Sequence, residues 1–79
     1  MKYPARRRAI AAELRAIRKT KGMSQRELSA ALGEVHNYCH YVETSQLPIS
    51  GEQIMAWVEK CGDKASTLFQ NVERRLHLK

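Results

Sequence analysis

The stretch GMSQRELSAALG, Gly22 to Gly33, decides the fold. Ser24 is a good N-cap, Glu27 stands three residues later to complete a capping box, and Met23 and Leu28 have the spacing of a hydrophobic staple. The run therefore predicts a helix beginning at Gln25. Gly33 offers a left-handed stop after Leu32, which leaves the helix about two turns long. A short helix closed by glycine and followed by a second short helix has the form of a helix-turn-helix.

Upstream, Tyr3 and Pro4 open a first helix, with Pro at or near the position where its missing N–H costs little. Ile10, Leu14 and Ile17 mark one apolar face beside Ala11, and Gly22 supplies the stop, so this helix should span about Ala5 to Lys21 after a flexible arm of residues 1–5. Downstream, a third helix is expected from about His36 to Glu43 or Thr44, with Cys39 and Val42 turned inward. Pro48 breaks the chain. Ser50 and Gln53 then form a second capping box for a helix from Gly51 to about Cys61, with Ile54, Val58 and Cys61 as its buried stripe. A last helix, about Ala65 to Leu76 within a C-terminal element of residues 64–79, aligns Leu68, Val72 and Leu76 with Phe69 alongside. No segment alternates like a strand. The expected fold class is all-α, a compact five-helix bundle forming one domain over residues 1–79.

A length of 79 residues leaves room for a single small core. Fourteen basic and eight acidic residues give a formal charge of +6, which favours a polyanionic partner. The distribution matters more than the total. Nine of the basic residues lie in the first 26 positions, where Glu13 is the only acid, whereas Glu27 to Glu59 contains five acids and no Lys or Arg. Attraction should come from the N-terminal third, and any selective reading by the middle must use neutral polar groups. Cys39 and Cys61 form no CxxC pattern and read as reduced, mostly buried thiols of a cytoplasmic protein. Neither a membrane span nor a secretory signal is supported, because the basic start MKYPARRRAIAAELR has no unbroken apolar run.

The segments LRAIRKTKGMSQRELSAALG and ISGEQIMAWVEKCG, with Glu43 ten residues beyond Gly33, resemble the Xre/Cro, phage-repressor-like family of helix-turn-helix DNA-binding domains. Leu14, Arg15, Arg18, Gly22, Ser24, Gln25, Leu28, Leu32, Gly33 and Glu43 fall in the family register over roughly residues 10 to 62. The departures are Ser29 where Ala is commonest, Val35 where Ser, Thr or Pro usually caps the recognition helix, and Ser45 where Gly is usual.

The resemblance implies a sequence-specific DNA-binding transcriptional regulator, a repressor acting as a homodimer on an inverted-repeat operator of its own or a neighbouring operon. His36, Asn37 and Tyr41, with Tyr38 and His40 beside them, match its base-reading positions. Asn suits adenine, and His suits guanine N7 or O6. Ser24, Gln25 and Arg26 at the start of helix 2, and Thr44, Ser45 and Gln46 after helix 3, are candidates for phosphate contact. Arg18 and Glu43 match a pair joining helix 1 to the end of helix 3. The cluster Arg6, Arg7 and Arg8 reads as a solvated face, a membrane-surface patch, or a phosphate or minor-groove contact, with phosphate contact fitting best beside a DNA face. Dimer-interface candidates are Leu68, Phe69, Val72 and Leu76, or, if those close the monomer core, Met55 and Trp57.

Three other readings compete. His36 and His40 at i, i+4, with Cys39 or a partner subunit, have the spacing of a metal site, although Cys39 points inward and no carboxylate joins them. Cys39 with either His lacks the third orienting group and the pocket that an enzyme needs. The more serious rival is a protein partner, since members of the resembling family also act as antitoxins. No enzyme activity, small-molecule substrate, cofactor or metal is expected.

Overall fold

The computed structural model describes residues 4–77, as five helices: α1 Pro4–Lys21, α2 Gln25–Ala31, α3 Tyr38–Glu43, α4 Gly51–Lys60 and α5 Ala65–His77. There is no strand among the described residues. Residues 1–3 of the expected arm, and Leu78 and Lys79 of the C-terminal element, lie outside them. Pro4 and Ala5, assigned to the arm, belong to α1 instead, where Pro at the first position supplies a helical φ and surrenders no hydrogen bond.

Both capping boxes form. The Ser24 hydroxyl accepts from the Glu27 N–H at 3.0 Å while the Glu27 carboxylate accepts from the Ser24 N–H at 2.8 Å, and Ser50 and Gln53 repeat the arrangement at 3.2 and 2.8 Å. The Ser24 backbone N–H is the main reason that the Glu27 carboxyl is held below its ordinary range. The first four helices each end by folding back on themselves. Met23 N–H donates to Arg18 C=O and Gly22 N–H to Lys19 C=O, with Gly22 at φ 82°, and Gly33 repeats the device at φ 71°. The turn after α3 has the same two bonds, but its left-handed position is Ser45 at φ 61°, where a Cβ makes the conformation costly.

Leu14, Ile17, Leu28, Cys39, Val42, Ile54, Trp57, Val58, Leu68 and Val72 converge on one core. Two expectations about the interface are corrected here. Trp57 is fully buried, its ring 6.2 Å from that of Tyr38 and its Nε1–H donating to the Leu14 carbonyl at 3.1 Å, so it joins α4 to α1 and faces no partner. Leu68 and Val72 are also core residues, because α5 lies along α1 and inserts that stripe between α1 and α4. Phe69, one residue round the helix from Leu68, remains 43% exposed, and Met55 51%.

A second bond set ties α5 down. Glu13 is buried, accepting from Asn71 Nδ2 at 2.9 Å on one oxygen and from Arg75 Nε at 2.7 Å on the other. A carboxylate so placed keeps both oxygens supplied with donors, which a buried charge requires.

Candidate nucleic-acid interface

The face of interest is built by α2, α3 and the turns around them. α3 begins at Tyr38, two residues later than expected from the pattern. Val35 and the residues after it form a turn closed by a bond from Tyr38 N–H to Val35 C=O, and the first α-helical bond runs from Tyr41 N–H to Asn37 C=O. His36 and Asn37 therefore sit in the turn before the helix, both exposed. Their side chains are carried by that turn, and His36 and His40 do not share a helical face, which removes the i, i+4 geometry of the metal reading. No group of three or more His, Cys, Asp or Glu residues among those described could hold a metal ion.

Tyr38 is corrected from an outward to an inward residue. It is 4% exposed, packed on Trp57, and burial pushes its phenol above the ordinary range. His40 and Tyr41 do point outward, their rings edge to face at 5.7 Å. The exposed set is thus His36, Asn37, His40 and Tyr41, four neutral polar groups within six residues.

No side chain at Asn37 caps α3. The missing acceptor comes from across the motif: the Ser29 hydroxyl, wholly buried on α2, accepts from the Cys39 N–H at 3.1 Å. Ser29 on α2 thus supplies the acceptor that the Asn37 side chain, at the N-cap of α3, does not. Ser29→Ala would leave that N–H buried without an acceptor and should lower the unfolding free energy by about 1–3 kcal/mol in a urea titration. An unchanged midpoint would show that the bond contributes nothing net.

The other end of α3 is held by charge. Glu43 Oε2 accepts from Arg18 Nε at 2.6 Å, and Oε1 accepts from Arg18 Nη2 and from Gln25 Nε2, each at 3.0 Å. Arg18 also donates Nη1–H to the Met23 carbonyl at 2.7 Å, so one guanidinium clasps α1, the turn before α2 and the end of α3. Hydrogen bonding to Glu43 raises the Arg18 pKa further still, against the opposing effect of burial. Gln25 therefore commits one amide N–H to Glu43 and keeps its other N–H and its carbonyl oxygen. Beyond α3, the Thr44 hydroxyl donates to the His40 carbonyl at 2.8 Å and accepts from Gln46 Nε2 at 2.8 Å, which binds this turn to the helix end.

The arginine cluster divides among three sides of α1. Arg6 borders the groove between the start of α1 and α5, where Phe69, Leu76 and His77 also lie. Arg7 is half-buried against Ile10, Leu47 and Pro48. Arg8 lines a cleft with Thr44 and Ser45, and Arg7 meets Ser45 from the other side, in the cavity it shares with Val42 and Leu47. Cys39 and Cys61 are buried free thiols, both pushed up in pKa by that burial, and neither opens onto the reading face.

With this geometry established, solved structures offer a comparison. The crystal structure of the clp gene regulator ClgR from Corynebacterium glutamicum superposes with a TM-score of 0.81 at 25% identity, over 87% of this chain and 73% of that one. The fold is that of a helix-turn-helix regulator. No family model and no curated protein sequence matches the chain. In this helix-turn-helix frame α2 is the bracing helix and α3 the helix that presents its outer face. No helix among the described residues is long and apolar enough to cross a membrane.

Among the interactions that the sequence pattern did not reveal are the Glu13 cluster and the bond that Ser29 accepts from the Cys39 N–H. The first had a visible signal, a solitary acid in a strongly basic helix. The second was signalled by a polar residue at a position that otherwise reads as core.

Proposed function

We propose that this protein is a sequence-specific DNA-binding transcriptional regulator of the Xre/Cro type, a repressor that recognises an inverted-repeat operator as a homodimer. The observation that carries the reading is the exposed set of His36 and Asn37 on the turn before α3 and His40 and Tyr41 on α3 itself, a helix braced at both ends, by Ser29 at its start and by Arg18 and Gln25 at its finish. The likeness to a gene regulator supports it. α3 and the turn before it enter the major groove, with Asn37 in position to bond an adenine edge and His36 and His40 to bond guanine. Ser24, Gln25 and Arg26 flank the groove at the start of α2, and Ser45 and Gln46 do so after α3, making phosphate contacts that set register, while Thr44, whose hydroxyl and N–H both donate to the His40 carbonyl, shapes the turn that carries them.

One such domain covers a half-site, so a second copy supplies the other. Phe69 and Leu76, on the rim of the groove between α1 and α5, and Met55 on α4 are the apolar residues available for that contact.

The test is a gel shift with the duplex immediately upstream of the protein's own gene against a scrambled duplex. Asn37→Ala is expected to reduce the preference for the cognate duplex by about 1–3 kcal/mol, roughly 5- to 160-fold, with an unchanged melting temperature because the side chain makes no internal bond. Wild-type protein that binds both duplexes equally at low salt would defeat the sequence-specific reading.

A further inference from the structure

A cleft of about 300 Å³ runs between α1 and the turn after α3, lined by Arg8, Ala12, Arg15, Glu43, Thr44 and Ser45. We infer that it holds a backbone phosphate of DNA, gripped by Arg15 together with Arg8; this rests on the DNA-binding reading and adds Arg15, which no motif assigns to the ligand.

Arg8, Ala12 and Arg15 fall at i, i+4 and i+7 and share one stripe of α1. The small side chain of Ala12 leaves the floor between the two guanidinium groups open. Opposite them stands the left-handed turn at Ser45, which follows directly on the reading helix, so a duplex seated on α3 carries its backbone past this cleft.

Glu43 is the one acid in the cleft, and its carboxylate is already satisfied: Arg18 takes both oxygens and Gln25 shares one, with only 2% of the side chain exposed. Arg15 Nε stands 3.9 Å from Glu43 Oε1, beyond hydrogen-bonding distance, and its side chain is 58% exposed. Its guanidinium therefore keeps its fork of donors for a ligand. The Glu43 charge is balanced by Arg18, which leaves Arg8 and Arg15 as surplus positive charge over the cleft. The Thr44 hydroxyl is spent on the His40 carbonyl, so of the two turn residues only Ser45 has a hydroxyl proton to offer. Two guanidinium groups and one hydroxyl around a small open cleft suit a phosphodiester, whose single negative charge is spread over two non-bridging oxygens that can each accept from them.

Because a phosphate contact carries no sequence information, the test needs no operator. Binding of a duplex of arbitrary sequence is followed by fluorescence anisotropy from about 50 to about 200 mM salt, and the slope of log affinity against log salt is compared among variants. Arg15→Ala and Arg8→Ala should each make the slope shallower by about 0.9, and the double variant by about twice that. Arg15→Lys should restore the slope. Arg74→Ala is the control, since Arg74 lies beside Glu13, roughly 150° round α1 from the Arg8 and Arg15 stripe, and it should leave the slope unchanged. Thermal melts of all variants should match wild type, which separates lost contact from lost structure. A steep wild-type slope that Arg15→Ala leaves intact overturns the cleft alone. A wild-type protein without affinity for any duplex overturns the DNA-binding reading beneath it.

Discussion

Arg18→Ala is expected to lower the unfolding free energy by about 3–5 kcal/mol, a large share of the roughly 4–12 kcal/mol available to a chain of this length. The magnitude follows from what is left behind. The Glu43 side chain is 2% exposed and would keep its charge in place with only the Gln25 amide as a close donor, while the Met23 carbonyl would lose its guanidinium partner as well. Arg15, at 3.9 Å and largely solvated, is too distant to take over without moving. Glu43→Ala should cost less, since Arg18 retains its bond to Met23 and Gln25 is released to solvent. Replacing both partners together, Arg18→Met with Glu43→Leu, should recover much of the loss, because no buried charge then remains alone. Urea titrations of the three variants check the ordering. A double variant no more stable than Arg18→Ala would mean that the pair stabilises through shape rather than through charge.

The parts of this fold that are legible in the sequence are those decided within a few residues. The capping boxes at Ser24 and Ser50 and the left-handed stops at Gly22 and Gly33 depend on local hydrogen bonds, and the structure has all of them at the expected positions. The face of α3 was harder to assign for a physical reason. In six residues a helical period returns barely once, and Cys39 and Val42 alone cannot say whether an amphipathic Tyr38 turns in or out. That choice is made by Trp57 on α4, nineteen residues away in the chain, which offers the Tyr38 ring a surface. The late start of α3 has the same character: its cap is a serine on another helix, invisible to a reading that looks for caps next to the helix they serve. In α5, Leu68 and Phe69 are adjacent and equally apolar, so the pattern could not tell core from rim until α1 was laid against them. For the candidate site, the outward set was legible as chemistry, neutral donors and acceptors in a stretch without Lys or Arg. Its geometry, with His36 and Asn37 on a turn rather than on the helix, was not.

Trp57→Ala should also destabilise by about 3–5 kcal/mol, by a different route. The indole is wholly buried, and removing it empties a space bounded by α1, α3 and α4 while the Leu14 carbonyl loses its bond from Nε1. The expected fall in melting temperature is at least about 12 °C for a domain of this size. Trp57→Phe distinguishes the two contributions. It keeps most of the apolar volume and the ring contact with Tyr38, and loses only the N–H bond, whose removal is softened because the Leu14 carbonyl belongs to the interior of α1. Its cost should therefore stay near 1–2 kcal/mol, on the order of one hydrogen bond and a small void. The effect on function should follow the same ordering, since Tyr38 opens α3 and rests on this ring. When the ring is lost, Tyr38 has no surface to lie against, and the turn carrying His36 and Asn37 loses its seat. Trp57→Phe should thus bind DNA with wild-type preference, and Trp57→Ala should lose selectivity at temperatures where it is still folded by circular dichroism. Retained selectivity in folded Trp57→Ala would mean that Ser29 and Arg18 hold the reading face by themselves.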